Sequence, residues 1–246
     1  MDALTIAAAS GLRARMESLD MLANNLANAS TPGFKVDREF YSLYVSPDAL
    51  DPFSYNDYPA TLPLIDRPWT DFRPGTIEVT GNPFDLAITG RGFFAVEGPA
   101  GPIYTRNGSF RLSPDGVLVT QTGYPVRRVG GGRIQATGGA PLEVRPDGTV
   151  YQSGAELGRI EIADFGNLAD LRKLPSGYFA APPGVAPSPA AAQVGQGRLE
   201  SSNASAAEGA VRLVSVLRQF EMLQKAITLG AEMNRKAVEE VARVGG

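Results

Sequence analysis

The 246-residue chain contains no cysteine and no histidine. The first absence excludes disulfides and thiol nucleophiles. The two together remove the usual zinc ligands and the side chain that most often moves protons near neutral pH. Most enzyme mechanisms lose their usual parts, so no catalytic residue, no metal site and no cofactor is expected. A large excess of either charge is also missing: 23 basic side chains stand against 26 acidic ones, for a net charge of -3. No basic block marks a nucleic-acid or anionic-membrane footprint, so nucleic acid is not an expected partner, and neither is a small-molecule substrate. No apolar run approaches the roughly 20 residues that cross a bilayer. Arg13 and Arg15 follow the first apolar stretch instead of preceding it, the reverse of a secretory signal. Any export is therefore expected to use a route that reads no cleaved signal peptide.

What is present begins with hydrophobic residues at 43%, enough for one large domain or two small ones. Both ends carry a helical pattern with coiled-coil spacing. Leu12, Met16, Leu19, Ala23 and Leu26 fall at alternating steps of four and three, and Leu213, Leu217, Phe220, Gln224, Ile227, Ala231, Asn234, Val238 and Val241 repeat the step. Asp2 is placed to cap a first helix over about Ala3 to Ala27, and Asn28 with Thr31-Pro32-Gly33 supplies its stop. The second helix is predicted from near Ser205 over about 35 to 39 residues. It is apolar round a wide arc: Val216 and Leu223 broaden the seam, while Met222, Leu229 and Met233 lie off it. A helix with more than one apolar face touches several neighbours, so the ends read as assembly elements. The expected interface residues are Leu12, Met16, Leu19, Leu26, Leu213, Leu217, Phe220, Leu223, Ile227 and Val238.

Between the helices the pattern changes twice. Residues 31–76 hold many prolines together with Phe40, Tyr44, Tyr55 and Trp69, the composition of an extended arm whose aromatics pack on another surface. Residues 77–180 are short β-rich runs, among them 84–88, 93–96 and 117–119, with hairpin signals at Asn107-Gly108, Asp115-Gly116 and Asp147-Gly148. Gly90-Arg91-Gly92 and Gly130-Gly131-Gly132 lack the Lys-Ser/Thr of a phosphate loop and read as tight turns. Residues 181–204, rich in Ala, Pro and Gly, read as a linker returning to the C-terminal helix. The expected fold is α+β: a discontinuous domain of 1–30 and 205–246 with the terminal helices paired as a coiled coil, the arm, and a central antiparallel β-rich domain.

The run Asn24-Asn25-Leu26-Ala27-Asn28-Ala29-Ser30-Thr31-Pro32-Gly33-Phe34 closely resembles the N-terminal signature of the bacterial flagellar rod and hook axial proteins. Thr80 to Ile88, Gly92 to Val96, Tyr104 to Phe110, Gly116 to Val126 and Leu199 to Asn203 look like the same family, in the expected order. Arg218-Gln219-Phe220-Glu221-Met222 is similar to the C-terminal helix of the family's proximal-rod subunits, where distal-rod and hook subunits tend to carry a Gln-Arg-Ala-Tyr-Glu type sequence. Leu223, where a Gln is common, and Ala204 to Ala207 depart from that pattern. The resemblance implies a structural subunit of the basal-body rod within the periplasm, exported unfolded by the flagellar type III apparatus without cleavage. Its implied partners are copies of itself, proximal and distal rod subunits, and the rod cap during assembly. It further implies helical polymerisation into a torque-transmitting tube that encloses the export channel.

Three alternatives are weaker. A distal-rod or hook-type axial subunit fits the shared motifs. An oligomeric binding module would use the β domain, with the helices only dimerising it. A wall-glycan hydrolase needs paired carboxylates, but of Asp85, Glu97, Asp115 and Asp164 one sits in a turn and no spacing brings two together.

Overall fold

The computed structural model describes residues 3–39, 41–45, 61–65, 68–137 and 140–244, with backbone alone for 3–9, 41–45, 61–65, 237, 238, 240–242 and 244. It is α+β, and the chain divides into two compact units. One comprises the described parts of Met1–Ala27, Asp37–Trp69 and Ser205–Gly246, the other Asn28–Val36 and Thr70–Ala204. Asp2, Phe40 and Tyr55 lie outside the described residues.

The first unit is built on α1 (Ala3–Ala27) and α2 (Ala206–Val244). Alanine and the straight-chain residues of both segments favour helix. Ser205 and Glu208 are spaced as in a capping box, and the Ser205 hydroxyl accepts the Glu208 N–H at 3.3 Å, which starts α2 where the pattern predicts it. The helices pack antiparallel. Leu26 lies over Gly209 and Leu223 over Gly11, each leucine methyl in ordinary contact distance of the space a Cβ would fill. After β1 (Asp37–Arg38) the chain forms a hairpin, β2 (Tyr41–Val45) with β3 (Thr61–Ile65), and β3 lies against α1. This hairpin lies within the stretch expected as an extended arm. Its register opposes Pro63 to Leu43, and a proline within a strand hides the pattern.

The second unit begins in earnest after β4 (Trp69–Thr70), which straddles the division. Its strands are β5 (Ile77–Val79), β6 (Leu86–Thr89), β7 (Phe93–Gly98), β8 (Gly101–Thr105), β9 (Phe110–Leu112), β10 (Leu118–Thr120), β11 (Leu142–Val144), β12 (Thr149–Gln152), β13 (Ala155–Arg159), β14 (Ile162–Asp164), β15 (Arg172–Lys173), β16 (Tyr178–Ala180), β17 (Ser188–Pro189), β18 (Gln193–Gln196) and β19 (Arg198–Glu200). The largest sheet runs β15-β16-β8-β7-β14-β17 and is antiparallel, and β11-β12-β13 forms a second one.

Both faces of the six-stranded sheet are buried, which is why β7 reads as a continuous apolar run and not as an alternation. Phe94 and Val96 point into one core with Phe110, Val126, Ile134 and Ile160; Phe93 and Ala95 point into another with Tyr104, Phe165 and Phe179. Two expectations change here. Asn107-Gly108 is not a hairpin: Gly108 accepts the Leu86 N–H, and a Cβ there would collide with the Leu86 carbonyl. Residues 181–204 are not a free linker, since they supply β17, β18 and β19, with Val194 in the core. The Pro- and Gly-rich composition masked strands only a few residues long.

Candidate functional site

Two features distinguish the molecule chemically, one in each unit. In the helical unit α2 has two apolar faces. Leu213, Val216, Phe220, Leu223, Ile227 and Gly230 form the covered one, at steps of three and four. Val211, Met222, Leu229 and Met233 form a second stripe on the opposite side, 73%, 62%, 59% and 71% exposed. At about 100° per residue these four positions fall within roughly 40° of one another.

The predicted seam residues divide between these surroundings. Leu213, Phe220, Leu223 and Ile227 are half-buried, whereas Leu217 is exposed, and Gln224 and Asn234 face outward instead of interrupting the seam. Val238 lies in α2, but its side chain is outside the described residues. On α1 the buried stripe is Ala14, Ser18 and Leu22, flanked by half-buried Leu12, Leu19 and Leu26, with Met16 and Ala23 outside. The stripe is rotated from the leucine pattern by about one residue because α1 is covered from a second side. There the Asn25 amide pairs with the backbone of Asp37 in both directions, at 2.8 and 3.1 Å. Small residues line this face, a signal that a search for leucines passes over.

In the β unit several motifs of the sequence meet at a buried ionic node. Lys35, Glu200 and Arg106 are 1%, 1% and 7% exposed. The Lys35 ammonium contacts Glu200 Oε1 and donates to the Arg73 carbonyl at 2.9 Å. Glu200 Oε2 accepts from Arg106 Nη1 at 3.2 Å, and Oε1 accepts the Gly75 N–H at 3.0 Å. Arg106 also donates to the carbonyls of Ile88 and Gly90. Burial draws the pKa values of Lys35 and Arg106 below their ordinary range, and the Glu200 charge opposes that in both.

Around the node, residues 33–36 and 200–203 run side by side. The Gly33 N–H donates to the Glu200 carbonyl at 2.6 Å, the Val36 N–H to Asn203 Oδ1 at 2.8 Å, and the Asn203 N–H to the Phe34 carbonyl at 3.3 Å. Asn203 Nδ2 ties in the carbonyls of Asp71 and Arg73. Phe34 is buried beneath the Lys173 ammonium, 4.2 Å from its ring centre. Gly33 has a φ of +67°, and a Cβ on it would collide with the backbone of Arg106 and Asn107. Thr31 donates to the Asn28 side chain at 3.1 Å in the turn after α1, where Pro32 follows. The node escaped the sequence reading; its only trace was charged residues at the edges of apolar motifs.

The remaining predicted positions are spread out. Asn24 is exposed, Ala27 is the last residue of α1, and Arg218 and Glu221 are exposed on α2. Tyr44 lies in β2 with its side chain outside the described residues, and Trp69 is 48% exposed. Of the carboxylates weighed for catalysis, Glu97 pairs with Arg127 at 3.2 Å and Asp164 with Arg91 at 3.3 Å. Asp115 stands in the turn between β9 and β10, and Asp85 is buried. No helix among the described residues is long and apolar enough to cross a membrane.

Three family models match the chain: the flagella basal body rod protein model over residues 7–35, the flagellar hook protein FlgE/F/G D1 domain over 87–152, and the flagellar basal body rod FlgEFG protein C-terminal model over 196–240. The flagellar basal-body rod protein FlgF of Caulobacter vibrioides is 36% identical over 230 residues, covering 92% of each chain. FlgF of Rhizobium meliloti is 31% identical over 82% of this chain and 83% of its own. The basal-body rod protein FlgG of Agrobacterium fabrum is 31% identical over 95% and 97%. The matched segments include both helices and both sides of the ionic node, and the chain belongs to the flagellar basal-body rod protein family as a FlgF-like structural subunit of the rod.

Proposed function

We propose that the chain polymerises helically through its terminal helices into the proximal rod, forming part of the drive shaft that transmits torque and encloses the export channel. The observation that carries this reading is the outward stripe of Val211, Met222, Leu229 and Met233 on a helix whose opposite face is already covered. Exposed apolar side chains recurring on one side of a helix, interrupted between Val211 and Met222 by Ser215 and Arg218, call for a neighbour, and in a rod the neighbours are further subunits. The paired helices act as a coiled coil in the inner layer. Partners are copies of the chain, the proximal and distal rod subunits and, during assembly, the rod cap. The chain reaches the periplasm through the flagellar type III apparatus without loss of a signal peptide. Its role is structural and not enzymatic: Glu97 and Asp164, two of the carboxylates weighed for catalysis, are engaged by arginines.

Met222→Glu with Leu229→Glu tests the reading. Burial of each side chain at a subunit contact contributes roughly 1.5 to 3 kcal/mol, so the double change removes several. Circular dichroism of the purified variant is expected to match the parent, while isolated basal bodies lack it and cells do not swim. Normal incorporation and motility would refute the stripe as an assembly surface. Pull-down of proximal against distal rod subunits separates the proximal position from a distal-rod or hook-type one.

A further inference from the structure

Glu39 is a buried carboxylate against a helix pair whose covered faces are mostly apolar or small. It is held from both helices: its Oε1 accepts the hydroxyl of Ser18 on α1, and its Oε2 accepts from Arg212 Nη2 on α2 at 3.0 Å. The Glu39 side chain is 2% exposed and Ser18 is fully buried. Asn25 lies seven residues from Ser18, two turns along one face of α1, and its bonds to Asp37 lead the returning chain along the helix to this point.

A carboxylate withdrawn from water is costly unless its partners are in place. The apolar seam favours one alignment, with Leu26 on Gly209 and Leu223 on Gly11, but its heptad repeat offers a second. Gly209, Val216, Leu223 and Gly230 recur every seven residues on α2, as do Leu213, Phe220 and Ile227, and α2 has 39 residues against 25 in α1. A shift of one heptad toward the α2 C-terminus still sets apolar residues against α1, at the cost of Val216 replacing Gly209 against Leu26 and Asn234 taking the place of Ile227. That shift places Gln219 where Arg212 stands, so Glu39 loses its ion pair with α2.

We propose that Glu39 is a register-setting residue of the helix pair, acting with the seam to select the alignment in which Arg212 reaches it. The outward stripe of α2 is thereby presented at one fixed height relative to α1. The consequence for the rod rests on the assembly role proposed above; the register itself does not.

The lack of native cysteine lets an introduced pair report alone. Full-length protein with Leu26→Cys and Gly209→Cys reads the observed alignment, because Leu26 lies over Gly209; Leu26→Cys with Val216→Cys reads the one-heptad shift. Mild oxidation and gel mobility, with and without reductant, score each. In the parent the 26–209 product is expected to dominate. Arg212→Glu, a change at a half-exposed site, is expected to shift the product toward 26–216 or abolish it, and Arg212→Glu with Glu39→Lys to restore 26–209. Unchanged dominance of 26–209 in both Arg212→Glu and Glu39→Gln overturns the proposal, as does failure of the double variant to recover. Absence of both products in the parent overturns the helix pairing on which the proposal stands. The Met222→Glu, Leu229→Glu variant is expected to keep the 26–209 pattern, so failure of the assembly reading leaves the register result standing.

Discussion

The ammonium of Lys35 lies against the carboxylate of Glu200, 165 residues further along the chain, with both side chains 1% exposed. Arg106 completes a triad of two cations and one anion, so the three residues are not equivalent. Removing Glu200 leaves two buried cations facing each other and takes the acceptor from the Gly75 N–H. Glu200→Ala is therefore expected to cost about 3–5 kcal/mol, and Lys35→Met less, because Arg106 still neutralises Glu200. Urea unfolding of the two variants beside the parent measures the order, and equal losses would contradict the triad account.

Stability should rise with pH in two separate windows, one at each end of the scale. Asp147 accepts the Thr149 N–H and hydroxyl, which hold its pKa below 3.8. As pH falls, the unfolded chain takes up this proton first, so the stability from Asp147 is complete above 3.8 and lost as pH drops through its folded value. Asp147→Asn is expected to flatten that part of the acid limb. Lys35 acts in the same sense at the alkaline end: burial lowers its pKa from 10.5, so the unfolded chain keeps the proton longer. Its contribution to stability grows as pH rises from the folded value toward 10.5. Unfolding midpoints followed upward from neutral pH should rise more in the parent than in Lys35→Met; parallel curves would exclude a perturbed Lys35.

Gly33 and Gly81 both have positive φ, +67° and +73°, but differ in surroundings. A Cβ on Gly33 meets the backbone of Arg106 and Asn107, whereas one on Gly81 meets nothing within 4 Å. Gly81→Ala is expected to cost about 1–2 kcal/mol, the left-handed backbone penalty alone. Gly33→Ala should cost clearly more, since it also forces residues 33–36 off the node. Thermal melts of the pair separate backbone strain from collision.

Phe93 and Phe94 are adjacent in β7 and buried on opposite faces, 2% and 0% exposed. Each sits in an aromatic cluster: Phe93 with Phe72, Phe165 and Phe179, and Phe94 edge-on to Phe110 at 5.1 Å. Phe93→Ala and Phe94→Ala are each expected to lose about 3–5 kcal/mol. In a strand with one wet face one of the two would be nearly neutral, so unequal losses of that kind would argue against two cores.

Both helices were legible because a helical repeat of apolar residues and an alanine-rich composition act locally. Which face of α1 is buried was not, since Ser18 and Asn25 belong to the interior only through Glu39 and Asp37, residues that return along the helix. The strands of β7 and β10 announced themselves, while β2, β3, β18 and β19 did not, because proline, glycine and short length erase the alternation on which strand reading depends. The Asn107-Gly108 pair shows the converse error. It reads as a turn in isolation, but Gly108 is required by the Leu86 carbonyl beside it.

The sequence by itself determined the helical ends, the β-rich centre and, through its motifs, the family, because periodicity and motif are properties of consecutive residues. Only the tertiary structure decided that Lys35, Arg106 and Glu200 share one buried node, that Glu39 joins α1 to α2, and that α2 keeps a second apolar face outward. These depend on residues far apart in the chain, and a charge or a leucine has no assigned environment until the fold brings its neighbours to it.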